Sequence, residues 1–151
     1  AEMTNHDQHF EKEDAVAISL KFANQAVGSF LLSDRTPSPW TWEMALGESE
    51  KFPKTGMNAI RFLGTEGALE FPNLVLWRHA EGNGNWHHEI RPEVIDAPFI
   101  DAYVAQCAHL RAVTRGLETP IIDALNGSRS LDATLAAARA ATSGTRIKLS
   151  M

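Results

Sequence analysis

The sequence predicts an α+β domain, in which a large, mostly antiparallel (mixed) open sheet is covered on one face by helices. Three observations lead to this prediction. Short runs that alternate apolar and polar residues fill the first part of the chain, and this alternation is the period of β-strands. Residues 60–79 contain three strand-like runs joined by tight turns. Two later segments, 98–115 and 124–143, carry apolar residues at helical spacing.

The first predicted hairpin begins near Asp14. Apolar residues at alternating positions lie on one face of its first strand: Val16, Ile18, Leu20 and Phe22. Asn24-Gln25 forms the turn, and residues 26–33 return as the second strand. Glutamine suits a tight hairpin turn less well than glycine, so the hairpin is expected while its turn geometry stays open.

The centre of the predicted sheet is the meander of residues 60–79. Gly64 and Gly67 flank its first turn, where we expect positive φ angles that glycine adopts without steric penalty. Pro72-Asn73 reverses the chain a second time. Residues 74–77 are apolar on both faces, which indicates a strand that is covered on both sides.

A polar loop with two prolines precedes the meander. Proline favours extended backbone, and we expect Trp40 and Trp42 on one side of a strand that begins there. Aromatic rings cover the apolar side of a sugar, whereas carboxylates and guanidinium groups bind its hydroxyls. The candidate substrate-binding residues in this loop are Asp34, Arg35, Trp40, Trp42 and Glu43. The alternative is that both rings cover an end of the core, since large aromatic side chains are often buried.

Residues 86–91 predict a short strand with His87 and His88 on opposite faces. Adjacent residues of a strand cannot comfortably serve one tetrahedral metal ion. A plain surface position is favoured for a histidine without a visible partner. The alternative is a polar group that lines the ligand cavity, and His88 is the candidate substrate-binding residue for that role.

The polar start of the chain carries His6, Asp7 and His9, which are metal-ligand types. No further ligands that would complete a site follow at a recognised spacing. We therefore favour a solvated lead-in strand or tail and assign no metal site. A metal-binding protein built on these histidines with His87 and His88 is the least favoured reading of the sequence.

Two helices follow the strands. Asp96 caps the first, Gly116 ends it, and Cys107 falls on its apolar stripe as a small core residue. His109 lies off that stripe and is expected in solvent. Asp123 introduces the second helix. Gly144 ends that helix, and residues 145–149 predict a last strand.

Composition excludes several classes of function. The chain of 151 residues has 44% hydrophobic and 22% charged residues, as a globular domain does. Its net charge of −5 makes a nucleic-acid partner unexpected. No apolar run approaches the roughly 20 residues that span a bilayer, and residues 1–5 lack the pattern of a signal peptide. With Cys107 as the single cysteine, no intrachain disulfide can form, which agrees with a cytoplasmic location.

Several segments resemble, in the same order, the C-terminal domain of the Gfo/Idh/MocA oxidoreductases. Residues 62–72 with Leu76-Trp77-Arg78 resemble the "GTEGxLxF…LxLxR" segment of that family. Residues 13–28 resemble its hairpin, with Gln25 where the family usually has glycine. Residues 33–43 resemble one branch of the family, and residues 103–144 resemble the end of the domain. The resemblance covers nearly the whole chain.

The resemblance implies a substrate-binding and oligomerisation domain of an NAD(P)-dependent oxidoreductase that acts on a sugar, a polyol or a related hydroxy compound. NAD or NADP would bind a separate N-terminal Rossmann domain. This sequence has no Gly-x-Gly-x-x-Gly after a strand, and it lacks the Glu-Lys-Pro segment and the catalytic helix of the family. We therefore expect residues 1–151 to form a single domain with no catalytic, cofactor-binding or metal-binding residues and no activity in isolation.

Two further expectations concern partners and the competing function. Two helices cannot cover both faces of a wide sheet, so we expect a homo-oligomer joined through the sheet face. The competing hypothesis is a non-catalytic α+β ligand-binding or dimerisation module, because the chain predicts a complete core without a catalytic set. An upstream reading frame with a dinucleotide-binding fingerprint would favour the enzyme.

Overall fold

The computed structural model describes residues 1–6, 9, 11–80 and 84–149. Helices and antiparallel strands are both present, which confirms the α+β class. The chain divides into two compact units, the first formed by Ala1–Thr36 with His109–Met151 and the second by Pro37–Ala108. The single-domain organisation stays a prediction.

The strands belong to a three-stranded and a four-stranded sheet, whereas the sequence predicts one large sheet. The hairpin and the meander each form as expected, because strands joined by short turns pair locally. Between them lies a segment that contains a short helix instead of a further strand. Local pairing therefore produces two separate ladders.

The first unit contains the three-stranded sheet, with β1 (Glu2–Thr4), β2 (Ala15–Lys21) and β3 (Val27–Ser33) in that order. Both pairs are antiparallel. The polar start of the chain thus contributes an edge strand. Apolar residues of β2 and β3 lie opposite one another on one face: Val16 with Leu32, and Ile18 with Phe30.

The β2–β3 turn explains how glutamine is accommodated. The Phe22 N–H donates to the Ala26 carbonyl at 2.9 Å, which closes a loop of residues 23–25. Gln25 adopts the left-handed conformation with a φ of 72°, and the Asn24 side chain accepts from the Ala26 N–H at 3.1 Å. A left-handed last position is typical of the hairpin loop that is one residue longer than the Asn-Gly turn.

Asp14 is the buried charged residue of the described chain, with 7% of its surface exposed. Its carboxylate lies 3.0 Å from His6 Nδ1 and accepts from the His6 backbone N–H at 2.8 Å. The hydrogen bond from the His6 ring, followed by the one from the His6 backbone, lowers the pKa of Asp14. The Asp14 side chain therefore holds His6, two residues after β1, beside the start of β2.

We expect Asp14→Asn to lower the melting temperature at neutral pH and to have a smaller effect in acid. The pKa of Asp14 is lower in the folded state than its unfolded value of about 3.9. Its stabilising contribution is therefore complete above about pH 4 and is lost as the pH falls through the folded-state pKa. Thermal unfolding of both proteins across the acid range measures the difference.

The matched control for this prediction is Glu13→Gln, which neutralises the exposed neighbouring carboxylate. Its melting temperature should stay close to that of the parent at every pH. A deficit in Asp14→Asn that stays constant down to about pH 3 would contradict a role for the charge.

The long helix α3 spans Ala124–Ser143 as expected. Asp123 caps it by accepting from the Asn126 N–H at 2.7 Å, and Gly144 ends it with a φ of 63°. Ala136 and Ala140 of α3 are buried, and the helix contacts β1. Residues 145–149 are irregular, so the predicted last strand is not formed. A strand needs a neighbouring strand to supply its hydrogen bonds.

Helix α2 spans Ala102–Thr114, and the boundary between the units falls within it. It begins later than predicted, because Asp101 and not Asp96 accepts from a first-turn N–H, that of Val104 at 2.9 Å. Gly116, with a φ of 70°, ends it as predicted. Cys107 is exposed, contrary to the expectation of a core residue. An apolar stripe indicates which side of a helix can be buried, but not what covers it.

His109 has a structural role that the sequence does not predict. Its Nδ1 lies 2.5 Å from Glu118 Oε2, and its Nε2 accepts from the Ile121 N–H at 3.2 Å. This pattern places the ring proton on Nδ1. With 26% of its side chain exposed, His109 ties α2 to the connection that precedes α3.

The second unit contains the four-stranded sheet, in which each strand pairs antiparallel with the next. Its strands are β4 (Ile60–Leu63), β5 (Ala68–Phe71), β6 (Val75–His79) and β7 (Ile90–Val94). The predicted meander is therefore confirmed, and β7 extends it. His87 and His88, which were expected in the strand of residues 86–91, instead lie in the turn before β7.

The first turn of the meander differs from expectation in its backbone. Neither Gly64 nor Gly67 has a positive φ, although the Gly64 N–H does donate to the Gly67 carbonyl at 2.9 Å. Gly67 is required for space instead, because a Cβ there would lie 2.6 Å from the Trp77 carbonyl oxygen. The close approach of the two strands, and not the turn conformation, selects glycine.

A short helix, α1 (Trp42–Leu46), stands where a strand beginning at the tryptophans was expected. Thr41 caps it by accepting from the Met44 N–H at 3.4 Å, and Gly47 ends it in the left-handed conformation. Ala45 is fully buried. Because the capping groups satisfy the helix ends, this segment forms a helix despite its β-favouring tryptophans.

In the part of the chain that the structure describes, no helix is both long and apolar enough to cross a membrane.

Candidate functional site

One face of the four-stranded sheet combines apolar and charged side chains, and we call it the mixed face. Residues that pair across neighbouring strands, or that lie two apart along one strand, share a face. The mixed face is defined by Ile60, Phe62, Leu69, Phe71, Leu76, Arg78, Arg91 and Glu93. Across the sheet, the apolar end of the mixed face consists of β4 and β5, and its charged end consists of β6 and β7.

Helix α1 supplies an aromatic ring to the apolar end. The Trp42 ring stacks on Phe71 with the centroids 5.6 Å apart and the planes at 29°. Half of Trp42 remains exposed, at 50%. Trp42 is therefore a support of the sheet on one side and an accessible surface on the other.

Trp40 and Glu43 flank this ring in sequence. Trp40 is 58% exposed, its backbone N–H donates to Ser38 Oγ at 3.2 Å, and its ring stacks on no other ring among the described residues. Glu43 is exposed in the first turn of α1. Both side chains are accessible to a ligand.

The charged end places two arginines directly opposite each other on β6 and β7, Arg78 and Arg91. Like charges in this position oppose strand pairing. A carboxylate accompanies each of them, since Glu93 accepts from Arg78 and Glu89 accepts from Arg91 at 2.8 Å. The hydrogen bond from Arg91 lowers the pKa of Glu89, and the same bond raises the pKa of Arg91.

A cavity of about 520 Å³ opens beside this cluster. It is an open cleft and not an enclosed pocket, since Arg78, Glu93 and Arg91 in its lining are each more than half exposed. Four charged side chains line it together with three further residues: Glu66, Arg78, His79, Ala80, Arg91, Pro92 and Glu93. A site of this kind offers both hydrogen-bond donors and acceptors to a polar ligand.

His88 lies next to the cavity and not in its lining. Its ring meets that of His79 edge-on, with the centroids 6.4 Å apart, and its Nδ1 accepts from the Asn85 N–H at 3.0 Å. His79 Nδ1 is buried without a hydrogen-bond partner among the described residues. His88 thus contacts a residue of the cavity wall.

Asp34 and Arg35 belong to the first unit, where both follow β3 and are exposed. The Asp34 N–H donates to the Asp14 carbonyl at 3.3 Å. The Arg35 N–H donates to Ser33 Oγ at 3.3 Å, and the Arg35 charge acts weakly on the Asp14 carboxylate. These two residues are thus engaged at the end of the three-stranded sheet.

The predicted site residues of the second unit do not converge. Trp42 contacts Phe71, the last residue of β5, whereas His88 contacts His79, the last residue of β6. In the antiparallel register these positions mark opposite ends of the sheet. Sequence reasoning missed the charged cluster of Arg78, Arg91 and Glu93, because only the register places these residues side by side.

The described residues contain no group of three or more His, Cys, Asp or Glu side chains that could hold a metal ion. No protein-family model, curated protein or solved structure matches the chain. The chemistry proposed for this chain therefore rests on its sequence and on the geometry of the mixed face.

Proposed function

We propose that this chain is the substrate-binding and oligomerisation domain of an NAD(P)-dependent oxidoreductase that acts on a sugar, a polyol or a related hydroxy compound. The mixed face carries this proposal. It offers paired guanidinium and carboxylate groups around a cavity, with the apolar side chain of Leu76 beside Arg78 on the same face. A sugar needs both kinds of surface in one site, one for its C–H groups and one for its hydroxyls. The exposed ring of Trp42 lies at the opposite end of the sheet, outside this cavity.

NAD or NADP belongs, in this proposal, to a separate N-terminal Rossmann domain that contributes the proton-transfer groups as well. Dinucleotide-binding folds are built from parallel strands with crossover helices. Every strand pair in the described part of this chain is antiparallel, which supports placing the cofactor on another domain. The whole enzyme would act in the cytoplasm.

The test uses the full-length product of the gene that encodes this chain. Its reduction of NAD or NADP is followed by nicotinamide absorbance with a series of polyols and sugars, beside the 151-residue chain alone. We expect activity from the full-length protein and none from the chain alone. A micromolar affinity of the isolated chain for NAD(H), measured by calorimetry, would overturn the domain assignment.

The oligomerisation part of the proposal predicts self-association through the three-stranded sheet. Phe30 and Leu32 lie on its apolar face opposite Ile18 and Val16, and they are 49% and 53% exposed. Apolar sheet surface of this kind tends to pair with a second copy. Light scattering at high micromolar concentration should therefore show a dimer or tetramer.

A pair of variants separates this sheet face from other contacts. Phe30→Lys places a charge on the apolar face and should weaken association by at least about tenfold. Ser29→Lys adds the same charge to the opposite, exposed face and should leave association unchanged. A parent protein that is only monomeric, or equal weakening by both variants, would argue against this interface.

The second candidate is a non-catalytic ligand-binding or dimerisation module, which the same cavity and apolar face also fit. It predicts ligand binding and self-association without any NAD(P)-dependent activity of the full-length protein. The absorbance assay therefore separates the two functions.

A further inference from the structure

We infer that the cavity at the charged end of the mixed face binds an uncharged polyhydroxy compound, such as an open-chain polyol, in preference to a sugar acid. The juxtaposition behind this inference is the pair Arg78 and Arg91 with Glu66 and Glu93 around a cavity of about 520 Å³. The inference rests on the proposed function and names the substrate class for it.

The charges around the cavity give no excess of positive charge. In its lining, Glu66 and Glu93 offset Arg78 and Arg91, and Glu89, which accepts from Arg91 beside the lining, leaves the cluster with one net negative charge. An anion entering this site gains no net Coulombic attraction and must compete with carboxylates that already hold the guanidinium groups. An uncharged ligand meets no such competition.

The hydrogen-bonding groups match vicinal hydroxyls. A guanidinium has five N–H donors, and a carboxylate has about four acceptor sites. Arg78 uses one of its terminal nitrogens on Glu93, so the pair keeps spare donors beside spare acceptors. A hydroxyl group both donates and accepts, and two neighbouring hydroxyls can therefore bridge such a pair. Leu76 lies next to Arg78 on the same face and can cover the C–H side of the ligand.

Stability of the sheet does not by itself account for the cluster. Arg78, Glu93 and Arg91 are 54%, 57% and 66% exposed, and exposed ion pairs contribute little to folding. Two arginines directly opposite each other even oppose strand pairing. Ligand recognition therefore explains this arrangement of charges better than a contribution to folding does.

The test is a titration of the 151-residue chain followed by amide NMR, with D-glucitol and D-gluconate as matched probes. They differ only in whether the first carbon is an alcohol or a carboxylate. Glucitol should shift the amides of Arg78, Ala80 and Arg91 saturably, and gluconate should bind more weakly by on the order of tenfold. No saturable shift with glucitol, or equal binding of both probes, would overturn the inference.

Charge variants sharpen the test. Glu93→Gln removes the net negative charge of the cluster and releases Arg78 from its carboxylate, so it should raise gluconate binding to about that of glucitol. Arg91→Gln makes the cluster more negative and should abolish gluconate binding while weakening glucitol. Arg61→Gln, an exposed arginine on the other face of the sheet, is the matched control and should change neither. An unchanged preference in the two cavity variants contradicts the inference.

The two proposals fail in different ways. If glucitol does not bind the cavity while the full-length protein reduces NAD(P) with polyols, the substrate site lies elsewhere and the proposed function stands. If glucitol binds as expected but the full-length protein shows no NAD(P)-dependent activity, the site stands and the oxidoreductase is excluded.

Discussion

Replacing Gly67 with alanine is expected to lower the free energy of unfolding by about 2–4 kcal/mol. The new Cβ would lie 2.6 Å from the Trp77 carbonyl oxygen and 3.0 Å from Arg78 Cγ. The arginine side chain can move aside, but the carbonyl belongs to the backbone of β6. The change therefore forces β5 and β6 apart at the first turn. Chemical denaturation of the two proteins measures the loss.

Gly64→Ala is the matched control in the same turn. A Cβ there would meet only the Gly67 carbonyl oxygen, at 3.4 Å, and the φ of Gly64 is not positive. We expect its effect to stay within about 1 kcal/mol. Equal losses in the two variants would show that turn conformation, and not the approach of β6, selects glycine here.

Trp42→Ala is expected to cost about 2 kcal/mol of stability. The variant loses the stacked contact with Phe71. Such an aromatic pair contributes about 0.5–1.5 kcal/mol to stability. It also loses the burial of roughly half of a large ring. Thermal and chemical unfolding of the variant test this, and a stability equal to that of the parent would contradict a supporting role for the ring.

Trp40→Ala is the comparison that separates an effect on folding stability from an effect on substrate binding. Trp40 is 58% exposed, and its ring stacks on no ring of the described chain, so its loss should change stability by less than about 0.5 kcal/mol. If the loop forms the substrate wall in the full-length enzyme, the same change should weaken substrate binding by about 1–3 kcal/mol. Unchanged substrate affinity in both tryptophan variants would place the substrate site elsewhere on the sheet.

Elements with strong local signals are predicted well from this sequence. Helix α3 begins after the Asp123 cap and ends at Gly144 as expected, because a capping carboxylate and a left-handed glycine act within one turn of the helix. The hairpin of β2 and β3 also forms where the alternation places it. In both cases the information lies within a few residues.

Other local signals were present but compete with each other. Thr41 and Gly47 mark the two ends of α1, while the prolines and tryptophans around them favour a strand. The caps decide the outcome, because they satisfy backbone groups that a five-residue helix would otherwise leave open. The start of α2 is a similar case. Asp96 and Asp101 could each cap this helix, and it is Asp101 that accepts from the Val104 N–H.

The sequence by itself determines the α+β class, the meander and the caps of α3, since each depends on the period and chemistry of neighbouring residues. The tertiary structure alone decides which strands share a sheet and which side chains share a face. Arg78 and Arg91 become neighbours only through the pairing of β6 with β7, and Gly67 needs to be glycine only because β6 passes beside it. Strand register depends on turn geometry as well as on the alternation within each strand, so the alternation alone does not give these cross-strand neighbours.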